Sequence, residues 1–171
     1  YFSKEKHQEY IKTIIEEIKK VPNTTVTIKL HPIEKNLKDY LKIINSNQFQ
    51  NVNIVQKIGA TYLHELMSKN DIIIGFGSTI VYEALILKKL VITLKNEKFN
   101  NLFNVFITKS KATIELEEIP KIPATINQLM TDKKLQEKLH RNGKIFTQKF
   151  CGTIDGKAAQ RMGTYLKWVL D

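Results

Sequence analysis

The chain has little of several residue types, and each shortage excludes something. It has one cysteine, Cys151, among 171 residues, which excludes an intrachain disulfide framework and a zinc site built from several cysteines. No apolar run approaches the roughly 18 residues that a membrane-spanning helix needs. Only two of the 27 basic residues are arginine, Arg141 and Arg161. Because arginine is the preferred reader of base edges and paired phosphate oxygens, we expect no nucleic-acid partner.

The charge is strongly positive, because 27 basic residues against 17 acidic residues leave a net charge of +10. The lysines are spread along the chain between apolar positions, which is typical of a solvated surface. A basic face that attracts an anionic substrate or anionic lipid is the open alternative. The single cysteine fits a reducing compartment. We therefore expect a cytoplasmic protein, with peripheral contact at the inner face of the membrane as a further hypothesis.

Helical and strand-like patterns alternate along the first half of the chain. Apolar residues at helical spacing predict helices, and short runs of apolar residues predict strands. The predicted helices cover residues 10–21, 37–44, 61–67 and 80–87, and the predicted strands cover residues 26–30, 52–55, 71–74 and 90–94. Strands that are apolar on both faces are typical of a parallel sheet covered by helices. The prediction is an α/β fold with one Rossmann-like, doubly wound parallel sheet.

The second half of the chain predicts fewer strands. Residues 96–109 are rich in phenylalanine and asparagine and are predicted to form a loop, followed by a short strand near residues 112–116. Further helices are predicted at residues 126–130, 135–150 and 157–170. The pattern also starts without the central strand with which a doubly wound domain usually begins. We therefore interpret residues 1–171 as a single Rossmann-like domain that is a fragment of a longer two-domain protein.

Two polar clusters follow predicted strands, and ligands of open α/β sheets bind beyond the carboxyl ends of strands. The first cluster contains Lys29, His31 and Pro32. Proline holds the preceding residue extended, and Lys29 alternates to the same face as His31. A lysine cation and a titratable imidazole suit a phosphate. On the dipeptide alone, a histidine that simply ends a strand before a turn is the better interpretation.

The second cluster contains Gly75, Gly77, Ser78 and Thr79. Glycines permit close approach of a ligand to the backbone, and the free N–H groups of a helix N-terminus favour an anion. Ser78 or Thr79 can equally serve only as a helix cap. Glu83 follows on the same helix and suits ribose hydroxyls, although a solvated glutamate is an equal alternative. Together the two clusters predict a clamp around the phosphate of a nucleotide.

These residues carry a resemblance to a known family. Residues 29–32 and 70–84 together resemble the C-terminal, donor-binding half of a GT-B glycosyltransferase with HP and ST motifs. Similar enzymes are the bacterial sialyltransferases and polysialyltransferases, the capsule Kdo transferases and the CDP-glycerol glycerophosphotransferases. Residues 87–92 match the position where such domains read gly-lys-pro-val-ile, with Leu90 in place of proline. Residues 155–161 resemble the start of their final helix.

The resemblance implies a transferase in cell-surface polysaccharide synthesis, with a CMP- or CDP-activated donor and a saccharide or lipid-linked acceptor. It implies that His31 is the catalytic residue, holding the donor phosphate or protonating the leaving group. It also implies that Ser78 and Thr79 hold that phosphate and that Glu83 contacts the ribose. No metal or cofactor is expected. The catalytic base of such enzymes lies in an N-terminal domain, so we expect the chain to be inactive without that half.

Two other functions stay open. One is an enzyme like UDP-GlcNAc 2-epimerase, which has the same fold. Such epimerases have a Gly-Gly pair after the serine, which the Ser78-Thr79 sequence does not match. The other is a non-catalytic nucleotide-binding module.

Three further residues carry simpler expectations. His64 lies on a predicted helix without a metal-binding partner at motif spacing, so a solvated or packing role is expected. Tyr165 and Trp168 on the last helix suit docking against the domain or against a missing half.

Overall fold

The computed structural model describes residues 4–31, 37–56, 59–76, 78–95 and 102–170. Within these ranges the chain forms eight α-helices and five β-strands. The helices are α1 (Lys4–Lys19), α2 (Leu37–Ser46), α3 (Ala60–Ser68), α4 (Thr79–Ile86), α5 (Leu102–Ser110), α6 (Ile122–Thr131), α7 (Lys133–Cys151) and α8 (Ala158–Leu170). The strands are β1 (Val26–Lys29), β2 (Val52–Val55), β3 (Ile72–Gly75), β4 (Leu90–Leu94) and β5 (Ile114–Leu116).

All strand pairs are parallel, which confirms the predicted α/β class. β1 pairs with β2, with Val26 opposite Val52. β3, β4 and β5 form a second sheet with β4 in the middle. The prediction of one sheet is therefore wrong for the described residues, among which no pairing joins β1 to β3. Each of these two strands has a ladder partner on one side only.

One hydrophobic core nevertheless joins the two sheets. Its cluster includes Val26 of β1 and Ile92 of β4, and Ile72 of β3 packs against it. Every residue of β4 is buried, as expected for a strand covered on both faces. A second cluster lies around Val81 of α4 and Phe146 of α7. Helices thus cover the β3–β4–β5 sheet, in the Rossmann-like arrangement that the apolar runs predicted.

The loop prediction for residues 96–109 is wrong in its second part, because Leu102–Ser110 is helix α5. Residues 96–101 lie outside the described ranges. Ile107 is 1% exposed and packs in the cluster around Val81 and Phe146. Tertiary packing supplies most of the stability of a short helix, and the asparagines and phenylalanines of this segment hide its helical spacing.

The helix predicted at residues 126–130 begins four residues earlier, at Ile122. Pro123 lies in its first turn, where the missing N–H of proline costs no hydrogen bond. A 3₁₀ turn, Ile119–Lys121, leads into it. Proline is therefore part of the start of α6 rather than a boundary before it.

The connection from α4 to β4 is a Schellman turn. The Lys88 N–H donates to the carbonyl of Leu85 and the Lys89 N–H donates to the carbonyl of Ala84, the pair of bonds that defines this motif. Lys88 has φ 55°, in the left-handed region that glycine usually occupies. β4, the most buried strand, starts two residues later, so this turn sets the direction in which the chain enters β4.

The two C-terminal helices differ in burial. α7 buries Leu139, Gly143, Phe146 and Thr147 and packs against α4. α8 buries no residue, and Trp168 is 74% exposed. The expectation that Tyr165 and Trp168 dock against the domain is therefore wrong, and the alternative, docking against a missing half, stays a prediction. Among the described residues, no helix is long and apolar enough to cross a bilayer.

Candidate functional site

The first polar cluster lies at the end of β1. Lys29 is the last residue of the strand, and its ammonium donates to the carbonyl of Leu30. His31 follows and is exposed. Pro32 lies outside the described residues. The backbone stays in the ladder until Leu30, whose N–H donates to the carbonyl of Val55, so His31 leaves the sheet at the carboxyl end of the strand as predicted.

The second cluster lies between β3 and α4. Gly75 ends the strand, and Gly77 lies outside the described residues. Ser78 is the N-cap residue of α4, with extended backbone angles of φ −151° and ψ 172°, and its side chain makes no capping hydrogen bond. Thr79 is the first helical residue, and both residues are exposed. The Ser78 hydroxyl is therefore not used to stabilise the helix.

Glu83 is held by a residue of another helix. Its Oε2 atom lies 2.9 Å from the Nε2 atom of His64. α4 starts directly after β3, and Glu83 is the fifth residue of this helix, so the pair lies about one turn from the start of α4. His64 is half exposed, and its ring also pairs with a candidate site residue, a contact that the sequence did not predict.

The body of the domain fixes α4 firmly. Val81 and Ala84 are fully buried. The Tyr82 ring lies 5.1 Å from the Phe146 ring of α7, centroid to centroid. Burial, with a smaller effect of Cys151, raises the pKa of the Tyr82 phenol, so this side chain stays neutral and acts in packing. The residues on either side of Tyr82 in α4 are thus presented by a rigid element.

The two clusters lie on different sheets that share one core. Ile28, next to Lys29, and Ile74, next to Gly75, both pack against the same cluster of buried residues. The ring of Tyr10 in α1 lies 5.7 Å from that of Phe76, directly after β3. The structure therefore places Ser78, Thr79 and Glu83 at the start and in the first half of α4, and Lys29 and His31 at the carboxyl end of β1.

The sequence matches a known protein family. The family model for UDP-N-acetylglucosamine 2-epimerase matches residues 2–167. The chain belongs to this family. The match spans both polar clusters and nearly the whole sequence.

Solved structures with a similar fold support the same architecture for this epimerase-family chain. One is a UDP-GlcNAc 2-epimerase from Neisseria meningitidis bound to UDP-GlcNAc, with 24% identity and a TM-score of 0.56 over 84% of this chain and 41% of that one. Another is the spinosyn forosaminyltransferase SpnP, with 14% identity and a TM-score of 0.53 over 80% of this chain and 34% of that one. The chain spans less than half the length of either. A search of curated proteins finds no significant match.

These findings confirm the GT-B-like fold and favour the epimerase family, which the sequence left open as an alternative to the glycosyltransferases. The family is that of the epimerases, although Ser78-Thr79 lacks the Gly-Gly pair expected of them. Nothing in the comparisons supports a sialyltransferase, a Kdo transferase or a cytidine-nucleotide donor. The resemblance in the HP and ST motifs therefore identified the fold and not the particular family.

The part of the chain that the structure describes contains no candidate metal-binding site. No group of three or more histidine, cysteine or acidic side chains is placed there to hold a metal ion. Cys151 is exposed and free at the end of α7.

Proposed function

We propose that this chain is the nucleotide-binding domain of an enzyme that acts on UDP-N-acetylglucosamine or a closely related UDP-sugar. The observation that carries the proposal is the family match over residues 2–167. Because the chain spans 41% of the similar epimerase, we propose that a second domain completes the active site. Full activity would then require both halves.

The phosphate end of the nucleotide is proposed to bind at the start of α4. Ser78 and Thr79 are exposed there, and the Ser78 hydroxyl makes no capping bond. The free N–H groups and the dipole of a helix N-terminus attract an anion. Gly75, at the end of β3, has open space where a Cβ would be, which leaves room for a ligand beside the backbone.

The second wall of the phosphate site is proposed to come from β1. Lys29 and His31 supply a cation and an imidazole, and both lie at the carboxyl end of their strand. A histidine N–H can donate a hydrogen bond to a phosphate oxygen. Glu83 is proposed to accept hydrogen bonds from the ribose hydroxyls. Pro32 and Gly77 complete the proposed site.

A second candidate is a glycosyltransferase that uses a CMP- or CDP-activated donor and a saccharide or lipid-linked acceptor. The HP and ST motifs favour it, because they place histidine and hydroxyl groups at the two strand ends. It requires the same domain and no metal or cofactor. The nucleobase of the bound nucleotide, uracil or cytosine, therefore distinguishes the two functions. A cytoplasmic location, with contact at an anionic membrane, is proposed for either enzyme.

The test is a titration of the chain with UDP, CMP and CDP, monitored by protein-observed NMR. This method can measure dissociation constants as weak as millimolar. We expect UDP to bind most tightly and to shift amide signals at Gly75, Ser78 and Thr79. A preference for CMP or CDP would overturn the UDP proposal in favour of the glycosyltransferase. No binding of any nucleotide would contradict both enzymes.

Two variants test the site in the same titration. Ser78→Ala removes a hydroxyl without removing a capping bond, so any lost affinity reports a ligand contact. His31→Ala is expected to weaken UDP binding about tenfold, the size of one charge-assisted hydrogen bond. His140→Ala, an exposed histidine of α7, is the matched control. Equal affinity of His31→Ala and His140→Ala would remove His31 from the site.

A further inference from the structure

The contact between His64 and Glu83 joins two helices that are distant in sequence. The two residues are 19 positions apart, and each is the fifth residue of its helix, counted from Ala60 in α3 and Thr79 in α4. α3 follows β2 and α4 follows β3 along the chain. The pair therefore lies one turn below the helix N-terminus that carries Ser78 and Thr79.

The chemistry of the pair fixes which atom donates. A carboxylate oxygen accepts hydrogen bonds, and an imidazole N–H donates them, so we infer that Nε2 of His64 donates to Oε2 of Glu83. The carboxylate keeps its other oxygen, Oε1, and further lone pairs for other donors. Ribose hydroxyls are donors of this kind.

Stability alone does not account well for the contact. The side chains of His64 and Glu83 are 48% and 32% exposed, and exposed ion pairs contribute little to folding free energy because water screens them. The contact restricts the conformation of the Glu83 side chain. A free glutamate side chain samples several rotamers, and holding it in one conformation before the ligand arrives lowers the entropy cost of binding.

We propose that His64 is a positioning residue that holds the Glu83 carboxylate for the ribose hydroxyls of the bound nucleotide. This rests on the proposed function, in which Glu83 is the ribose contact. His64 acts through Glu83 and does not touch the phosphates. Its loss should therefore weaken only ligands that carry the hydroxyls.

The test compares UDP with 2′,3′-dideoxyuridine diphosphate by NMR titration of wild-type chain and variants. His64→Ala is expected to weaken UDP about 3- to 10-fold, the equivalent of one modest hydrogen bond, and to leave the dideoxy ligand unchanged. His64→Gln, which keeps a donor, should restore most of the affinity. In a Glu83→Gln background, His64→Ala should cause no further loss.

The matched control is Lys69→Ala, which breaks another exposed ion pair of α3, Lys69 with Glu65. It should leave both affinities unchanged, and thermal unfolding of every variant checks that the fold is kept. Equal weakening of both ligands by His64→Ala, or an independent loss in the Glu83→Gln background, would overturn the role of His64 while the UDP proposal stands. Failure of the wild-type chain to bind UDP would overturn both.

Discussion

The two C-terminal helices are both amphipathic and have opposite surroundings. α7 is the more charged of the two, with five lysines against one in α8. The apolar face of α7 packs on α4, while the apolar residues of α8 are exposed, with Leu170 at 83%. The comparison teaches that an amphipathic pattern predicts a helix with an apolar face but does not predict what covers that face.

The largest expected effect comes from removing one large aromatic side chain from each helix. Phe146 of α7 is 2% exposed and contacts Tyr82 and Phe150. Phe146→Ala should therefore lower the free energy of unfolding by about 3–5 kcal/mol, because it leaves a cavity. Trp168→Ala on α8 should change it by less than about 0.5 kcal/mol. Chemical denaturation measures both, and a large cost for Trp168→Ala would show that the α8 face is covered in solution.

A smaller effect is expected at the glycine that each helix contains. A Cβ at Gly143 of α7 would lie 3.3 Å from Cδ2 of Leu85, whereas a Cβ at Gly163 of α8 has nothing within 4 Å. Gly143→Leu should cost about 1–3 kcal/mol through overpacking between α7 and α4. Gly163→Leu is the matched control and should stabilise the helix slightly, since glycine costs up to about 1 kcal/mol in a helix interior. Equal effects would mean that α7 does not need close approach to α4.

The smallest effect concerns how α8 begins. Asp155 accepts hydrogen bonds from Arg161 and from the backbone N–H of Lys157, and the Arg161 hydrogen bond first, then the Lys157 N–H, lower the pKa of its carboxyl. A lowered folded-state pKa means that the contribution is complete above the ordinary aspartate value and is lost as the pH falls below it. The midpoint of the pH-dependent shift of the Lys157 amide signal should therefore lie below the ordinary aspartate value. Asp155→Asn should abolish that shift, and a midpoint at or above the ordinary value would contradict the pairing.

Much of the fold could be predicted from the apolar runs. β2 and β4 occupy the residues predicted for them. β4 is buried on both faces, and such a strand is predominantly apolar, which makes it visible in the sequence. α5 could not be predicted, since its helical conformation depends on burying Ile107 against α4 and α7. The division into two sheets also has no local signature, because it concerns which strands are neighbours.

The candidate site divides in the same way. Histidine before proline and serine at a helix start are local patterns, so His31 and Ser78 could be placed at strand and helix ends from sequence. The pairing of His64 with Glu83 could not, because the two residues meet only after α3 and α4 lie side by side. The nucleobase of the ligand could not be predicted either, since the residues that carry the resemblance concern the phosphates and the ribose.

The Schellman turn at Lys88 has a consequence for the stability of the domain. The motif that residues 87–92 resemble has glycine at the position of Lys88, and a side chain in left-handed conformation costs roughly 1–2 kcal/mol. This chain keeps the turn with a residue that disfavours it, so the burial of the strand that follows has to offset that cost. A substitution that weakens the packing of β4 therefore acts on a connection that already carries strain.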